Sequence, residues 1–314
     1  MAARNDSNQI RLTRVYDAPL RAVWDAWTVP EQIEKWWGPR GFTLTTHSKD
    51  LRPGGTWRYT MHGPDGVDYP NLATYHVVEP YKTLVYDHGA TDDSPPLFHV
   101  TATFAEAQGR TTLDLVFTFA TPQVRTEMEK HIKNAGGHAT WDRLAEHLEE
   151  GISGKRCFVI NRTLAAPIAR VFQMWTNPAL LVQWLPPAGM QMRFLRATIA
   201  VGQSTFFVIE GEHGTMHVRA DYLVLDAPRR IVYKQQFVDA HEQLAPAPGS
   251  PVWPPTLLMT VLLSEEAPDR TRITVTCEPH GEATPAELEA FVQERSGMTT
   301  GWTGSFDALE ALLV

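Results

Sequence analysis

Cysteine is nearly absent from this chain. Cys157 and Cys277 are the only two among 314 residues, and neither belongs to a C-x-x-C pair. That argues against a disulfide framework and a cysteine-built zinc site, and two lone thiols suit a reducing cytoplasm. The sequons "NDS" (5–7) and "NRT" (161–163) are then chance matches. Long apolar runs are missing as well: nothing approaches the roughly 18 residues of a transmembrane helix, so no membrane insertion is expected. The opening "MAARNDSNQIRLTRVYD" has no apolar h-region, and no secretory signal is expected. Positive charge is in deficit. A formal net charge of −8 argues against a nucleic-acid partner or an anionic membrane surface. G-x-S-x-G, P-loop, dinucleotide and H-E-x-x-H motifs are all missing, so no cofactor and no metal is expected. "GISGK" (151–155) lacks the spacing of a phosphate loop and reads as a linker.

What is present is a globular composition, 43% hydrophobic and 20% charged, in a chain long enough for two cores. It is also a repeat. "RVYDAPLRAVWDAWTVPEQIEKWW" (14–37) lies over "RTLAAPIARVFQMWTNPALLVQWL" (162–185). Arg14, Ala18, Pro19, Trp27, Thr28, Pro30 and Trp36 recur 148 positions later as Arg162, Ala166, Pro167, Trp175, Thr176, Pro178 and Trp184. "GGTWRYTMHGPDG" (54–66), "YHVVEPYKTLVY" (75–86) and "TTLDLVFTF" (111–119) find partners in the same order. The halves divide into 1–150 and 151–314, joined near "EEGISGKR".

Each half reads alike. An alternating strand is followed by a helix that begins after a proline, then a second short helix begun by Pro30 or Pro178. Six further strands separated by turn residues come next. A helical stretch closes each half, started by the Thr-Pro pairs at 121–122 and 284–285. One sheet curled around one amphipathic helix buries both apolar faces, so the expected class is α+β.

That order, carried by "APLRAVWDAWTVPEQIEKWWGP", "GGTWRYTMHGPDGVDYPN", "VVEPYKTLVYDHG" and "TWDRLAEHL", resembles the START/Bet v 1-like (SRPBCC) helix-grip superfamily. "AAPIARVFQMWTNPALLVQWL", "LVLDAP" and "GWTGSFDALEALL" carry it in the second half. More narrowly, both halves are similar to the C-terminal domain of the heat-shock-protein-ninety ATPase activator. The resemblance implies two tandem helix-grip domains, each with a cavity between the concave face of its sheet and the closing helix. The second half lacks the "HGPDGVDYPN" hairpin and inserts the proline-rich "DAHEQLAPAPGSPVWPP" (239–255), so the two cavities should differ in specificity. Gly136-Gly137 align with Gly301-Trp302, which predicts a kink or close approach in the first closing helix and tighter packing in the second.

Strand alternation then assigns the inward faces. In the first half Trp57, Tyr59 and Met61 share a face, as do Asn71, Ala73, Tyr75 and Val77, and as do Tyr86 and His88, with Phe98 and Phe117 on the following strands. In the second half Tyr222, Tyr233, Met259 and Cys277 face inward. These walls suit a hydrophobic or aromatic small molecule, and equally a plain core. Tyr75 and Tyr86, with their counterparts Tyr222 and Tyr233, need partners for buried hydroxyls, from a ligand or from backbone carbonyls. His88 is the one inward histidine and the candidate base; His62 and His99 point away. In the second half Glu210, His213 and His217 gather at a hairpin, where charges are ordinarily solvated. Trp37, replaced by Leu185, is the one motif residue expected to be in reach of a ligand.

The expected function is small-molecule binding by a cytoplasmic monomer or homodimer. The alternatives are cyclase-like or hydrolytic chemistry on a polyketide-type ligand, with His88, Tyr75 and Tyr86 as actors, and an ATPase-activator-like interaction module.

Overall fold

The computed structural model describes residues 6–89, 94–134, 139–212 and 214–313. The chain separates into two compact units, Met1–Gly154 and Lys155–Val314. The first contains β1 (Gln9–Tyr16), α1 (Leu20–Thr28), α2 (Pro30–Ile33), β2 (Thr43–Lys49), β3 (Thr56–His62), β4 (Asp68–Glu79), β5 (Thr83–Gly89), β6 (Phe98–Ala107), β7 (Arg110–Thr118), α3 (Pro122–Asn134) and α4 (Ala139–Ser153). The second begins with β8 (Phe158–Leu164), α5 (Ile168–Thr176) and α6 (Pro178–Leu181). It continues through β9 (Gln191–Ala197), β10 (Ser204–Gly211), β11 (Gly214–Asp226), β12 (Arg230–Val238), β13 (Leu257–Ala267) and β14 (Arg270–Pro279) to α7 (Pro285–Gln293) and α8 (Arg295–Leu313).

Each unit holds one antiparallel seven-stranded sheet, ordered β1-β7-β6-β5-β4-β3-β2 and β8-β14-β13-β12-β11-β10-β9. Consecutive strands pair as a meander, and the first strand closes on the last. The fold is α+β, two tandem helix-grip domains. Each has its own core: Trp27, Trp36, Tyr59, Leu84, Leu113 and Leu144 anchor one, and Trp184, Val261, Ile273, Phe291, Phe306 and Leu309 the other. The join between first helix and last strand is the same in both, since buried Thr111 donates to the Ala18 carbonyl and buried Thr271 to that of Ala166, each at 2.8 Å.

The starts of the closing helices follow their sequence signals. Thr121 Oγ1 accepts from the Val124 amide at 3.2 Å, and Thr284 forms a full capping box with Glu287. Beyond the starts, three expectations are corrected. The second closing helix is two segments, α7 and α8, parted at Glu294 with no glycine or proline to mark the break.

A β-bulge interrupts β4 between Tyr75 and Val77, adding one residue to the strand. Val77 therefore turns outward, 37% exposed, and Val78 packs against the core instead. The same bulge falls between Tyr222 and Val224 and turns out Leu223, 42% exposed.

Trp302 is the structural counterpart of Trp141. Trp141 stacks on Trp27 with ring centroids 5.6 Å apart, and Trp302 stacks on Trp175 at 6.0 Å. The sequence pairing of Trp302 with Gly137 slipped because Trp141 lies 20 positions after Thr121 and Trp302 18 after Thr284; Gly136 and Gly137 lie outside the described residues.

Candidate functional site

The repeated Trp-Thr-x-Pro stretch builds one end of each cavity wall. Pro30 and Pro178 sit at the first helical position, where their missing N–H is no loss. Trp36, fully buried, donates its indole N–H to the Ala26 carbonyl at 2.9 Å; Trp184 donates to Met174 at 3.1 Å. The bond folds α2 back onto α1 and satisfies an end-of-helix carbonyl that burial would otherwise orphan. Trp37 is only partly buried. Its ring meets those of Trp27, Trp57 and Trp141 edge-on, and its Nε1 donates to the Tyr59 hydroxyl at 3.2 Å.

On the concave face of the first sheet, Trp57 and Tyr59 stack at 3.9 Å and both are buried. Tyr75 and Tyr86 face each other across β4 and β5, 5.9 Å between centroids. Burial pushes all three phenols upward, and the proximity of Tyr59 and Tyr75 raises Tyr86 further. They are neutral groups at physiological pH.

His88 lies flat on Phe98, 4.7 Å between centroids, with Tyr59 at 6.4 Å. Burial against these rings pushes its imidazole down to about 4. Lys49 closes the other end of this wall. Its amine sits 4.0 Å over the Trp57 ring and donates to the Trp27 carbonyl, and burial pushes it down to about 7.

Burial along this face is uneven. Trp57, Tyr59, Tyr75 and Tyr86 are enclosed, but Met61, Asn71, His88, Phe98 and Phe117 are only half-buried although all face inward. Register places Tyr59 opposite Asn71, Ala73 opposite His88, and His88 opposite Phe98, so the half-open residues share one end of the sheet. The Asn71 amide is committed to the Tyr69 carbonyl at 2.7 Å.

The second domain closes the same region. Val218, Leu257 and Cys277 stand where Asn71, Phe98 and Phe117 stand in the first, and all three are buried. Phe291 of α7 is wholly buried in this core, with Trp253 of the proline-rich insertion against it at 5.7 Å. Counting from the Thr-Pro pair, α3 carries Met128 at that place, and Met128 is half-buried.

The second domain has a cavity of about 20 Å³ lined by Trp175, Leu185, Phe207, Tyr222, Tyr233 and Gln235 among others. That is room for one water. Tyr222 and Tyr233 thus line a space too small for an organic ligand, and Met259 is packed in the core at 2% exposure. Burial pushes Tyr222 up to about 12 and also pushes Tyr233 well above the ordinary phenol value.

Glu210, His217 and Glu278 of the second half each go to a different partner. Glu210 faces Arg193 at 3.5 Å, His217 stacks on Phe206, Glu278 pairs with Lys155 at 3.1 Å, and His213 lies outside the described residues. Cys277 is buried and its thiol is pushed up by that burial. Sequence reasoning did not find Trp253, Phe291 or Met128, although the inserted prolines beside Trp253 were a usable signal.

Among the described residues, no helix is long and apolar enough to cross a membrane. No curated protein matches the chain. Similar solved structures include a Nitrosomonas europaea protein, 24% identical, covering 47% of this chain and 97% of that chain with a TM-score of 0.43. A Mycobacterium smegmatis protein is 26% identical, with 45% and 90% covered and a TM-score of 0.40. The di-domain ARO/CYC BexL from the BE-7585A biosynthetic pathway is 14% identical, with 97% and 98% covered and a TM-score of 0.39. The family described as activator of Hsp90 ATPase homolog 1-like protein matches residues 17–149 and again residues 165–314. By those two matches, spanning most of its length, the chain belongs to the activator of Hsp90 ATPase homolog 1-like family and carries its domain twice.

Proposed function

We propose that the first domain binds an apolar, aromatic small molecule on the half-open end of its concave face, and that the second domain is a closed structural copy. The observation that carries this reading is the contrast in burial at matched positions. Asn71, Phe98 and Phe117 keep accessible surface where Val218, Leu257 and Cys277 keep 5% or less. Partly exposed inward aromatic rings are surface that a ligand removes from water at about 25 cal/mol per Å². The polar end of such a ligand meets His88 and the hydroxyls of Tyr75 and Tyr86, with Trp57, Tyr59 and Met61 as the wall behind. These groups favour recognition over acid–base catalysis. An imidazole held near 4 is a weak base, and phenols pushed above their ordinary range are weak acids.

Titration of the full chain with 8-anilino-1-naphthalenesulfonate, read by fluorescence and by native mass spectrometry, tests the proposal. One probe per chain is expected. His88→Gln, which copies Gln235 of the second domain, and Phe98→Asp should each weaken binding about tenfold. Binding that ignores both substitutions, or no binding, would overturn it. Turnover of a polyketide-type substrate that collapses in Tyr86→Phe would replace binding with the cyclase-like alternative.

A further inference from the structure

On the outer, convex face of the first sheet, the strands bring together three side chains that are far apart in sequence. His76 on β4, Asp87 on β5 and His99 on β6 lie side by side. His76 Nε2 is 2.7 Å from one carboxylate oxygen of Asp87, and His99 Nδ1 is 2.8 Å from the other. One ligand atom from each residue falls within 4.8 Å of the other two. From this geometry we propose that His76, Asp87 and His99 form a binding site for a divalent transition ion, with zinc as the ion of choice.

The donor set is two imidazoles and one carboxylate, the composition of a borderline-soft divalent site with an open coordination position. Around one zinc ion, nitrogen and oxygen donors at about 2.0–2.2 Å stand roughly 3.3 Å apart. The His–Asp pairs need to open by about half an ångström from their hydrogen-bonded distances to admit it. The side chains are 44%, 30% and 41% exposed, so an ion reaches them from solvent and a water completes its shell.

The backbone is shaped for this cluster. Asp87 and His99 are directly paired across β5 and β6. The bulge after Tyr75 inserts His76 as the extra residue of β4 and aims it at that pair. The second domain has the same bulge, and there register puts Leu223, Lys234 and Leu258 at the three places. Two leucines and a lysine in those places do not make a metal-binding set. The sheet geometry is thus common to both domains, and the donor set belongs to the first alone. An ion here ties three neighbouring strands together on the face opposite the ligand wall.

Zinc chloride titrated into the full chain near neutral pH, followed by calorimetry, is expected to show one ion per chain and a rise in melting temperature. His76→Ala, Asp87→Ala and His99→Ala should each weaken binding about tenfold or more. His47→Ala and His62→Ala should leave it unchanged, because His62 pairs with Asp68 at 2.6 Å and with Thr45, His47 bonds Thr60, and neither belongs to a three-donor group among the described residues. Cobalt(II) should give visible d–d bands that vanish in the same three variants. Combining Leu223→His, Lys234→Asp and Leu258→His should raise the stoichiometry to two. No bound ion, or one ion that survives all three alanine substitutions, would sink the proposal and leave the cluster as a hydrogen-bonded surface triad.

Discussion

His88 illustrates how far a single side chain's chemistry depends on what it lies against. Its imidazole stacks on Phe98, and burial there favours the neutral ring, with protonation delayed from the ordinary 6.5 to about 4. In the unfolded chain the same ring takes a proton near 6.5. Between those values the unfolded state binds more protons, so stability falls as pH drops from 6.5 to 4 and levels off below. His88→Gln should flatten that acid limb. Thermal melts taken across the window check it, and an unchanged slope in the variant would assign the acid sensitivity to other groups. At the same scale, Trp36 and Trp184 are architecture, since each spends its N–H on a carbonyl of the preceding helix. Trp37 differs, because its N–H goes to Tyr59 inside the proposed site.

At the scale of the element, the first domain locks its closing helix with a buried ion pair, whereas Arg162 of β8 in the second pairs with Asp307 and Glu310 of α8 nearer the surface, at 3.0 and 3.6 Å. Arg40, just after the Gly-Pro stop, forms a bidentate pair with Glu146 of α4 at 2.7 and 2.9 Å, with side chains 9% and 4% exposed. Arg143 on the same helix donates to the carbonyls of Gly38 and Pro39 at 2.8 and 2.7 Å. In the second domain Ser305 Oγ makes the comparable tie, donating to the Leu185 carbonyl at 2.8 Å. Breaking a buried pair leaves an uncompensated charge. Glu146→Ala should cost about 3–5 kcal/mol, whereas Arg40→Met combined with Glu146→Leu should recover most of that loss. Denaturant unfolding of the three proteins measures it; equal losses in single and double variants would mean the pair stabilises the fold outright.

At the scale of the molecule, two cores with no shared residues describe two folding units. Fragments 1–154 and 155–314 are expected to fold separately, each with a cooperative melt. Only the first should bind the aromatic probe, and Glu146→Ala should shift only its transition. Calorimetry of the two fragments and the full chain tests this, and a fragment without a cooperative melt would show that the cores depend on each other. The duplication preserved the sheet, the bulge and the Trp36/Trp184 hydrogen bond while the cavity contents diverged. Tyr59 faces Phe207 in that comparison, His88 faces Gln235, and Trp57 faces Thr205. Those exchanges remove the polar and aromatic groups that the proposed site uses.

The primary structure by itself determined the duplication, the strand order, the helix starts at Pro30 and Pro178, and the inward sets on strands of unbroken alternation. Those signals are local: a period, a capping residue, a proline where an N–H is not needed. Tertiary structure alone decided what depends on register and packing. A one-residue bulge turned Val77 outward, and α7 with the proline-rich insertion shut one cavity with Phe291 and Trp253. Cross-strand pairing also gathered His76, Asp87 and His99, whose separations of 11 and 12 positions carry no periodic signal along the chain. Side chains that meet across strands are set by hydrogen-bond register, and a bulge shifts that register without leaving a mark in composition.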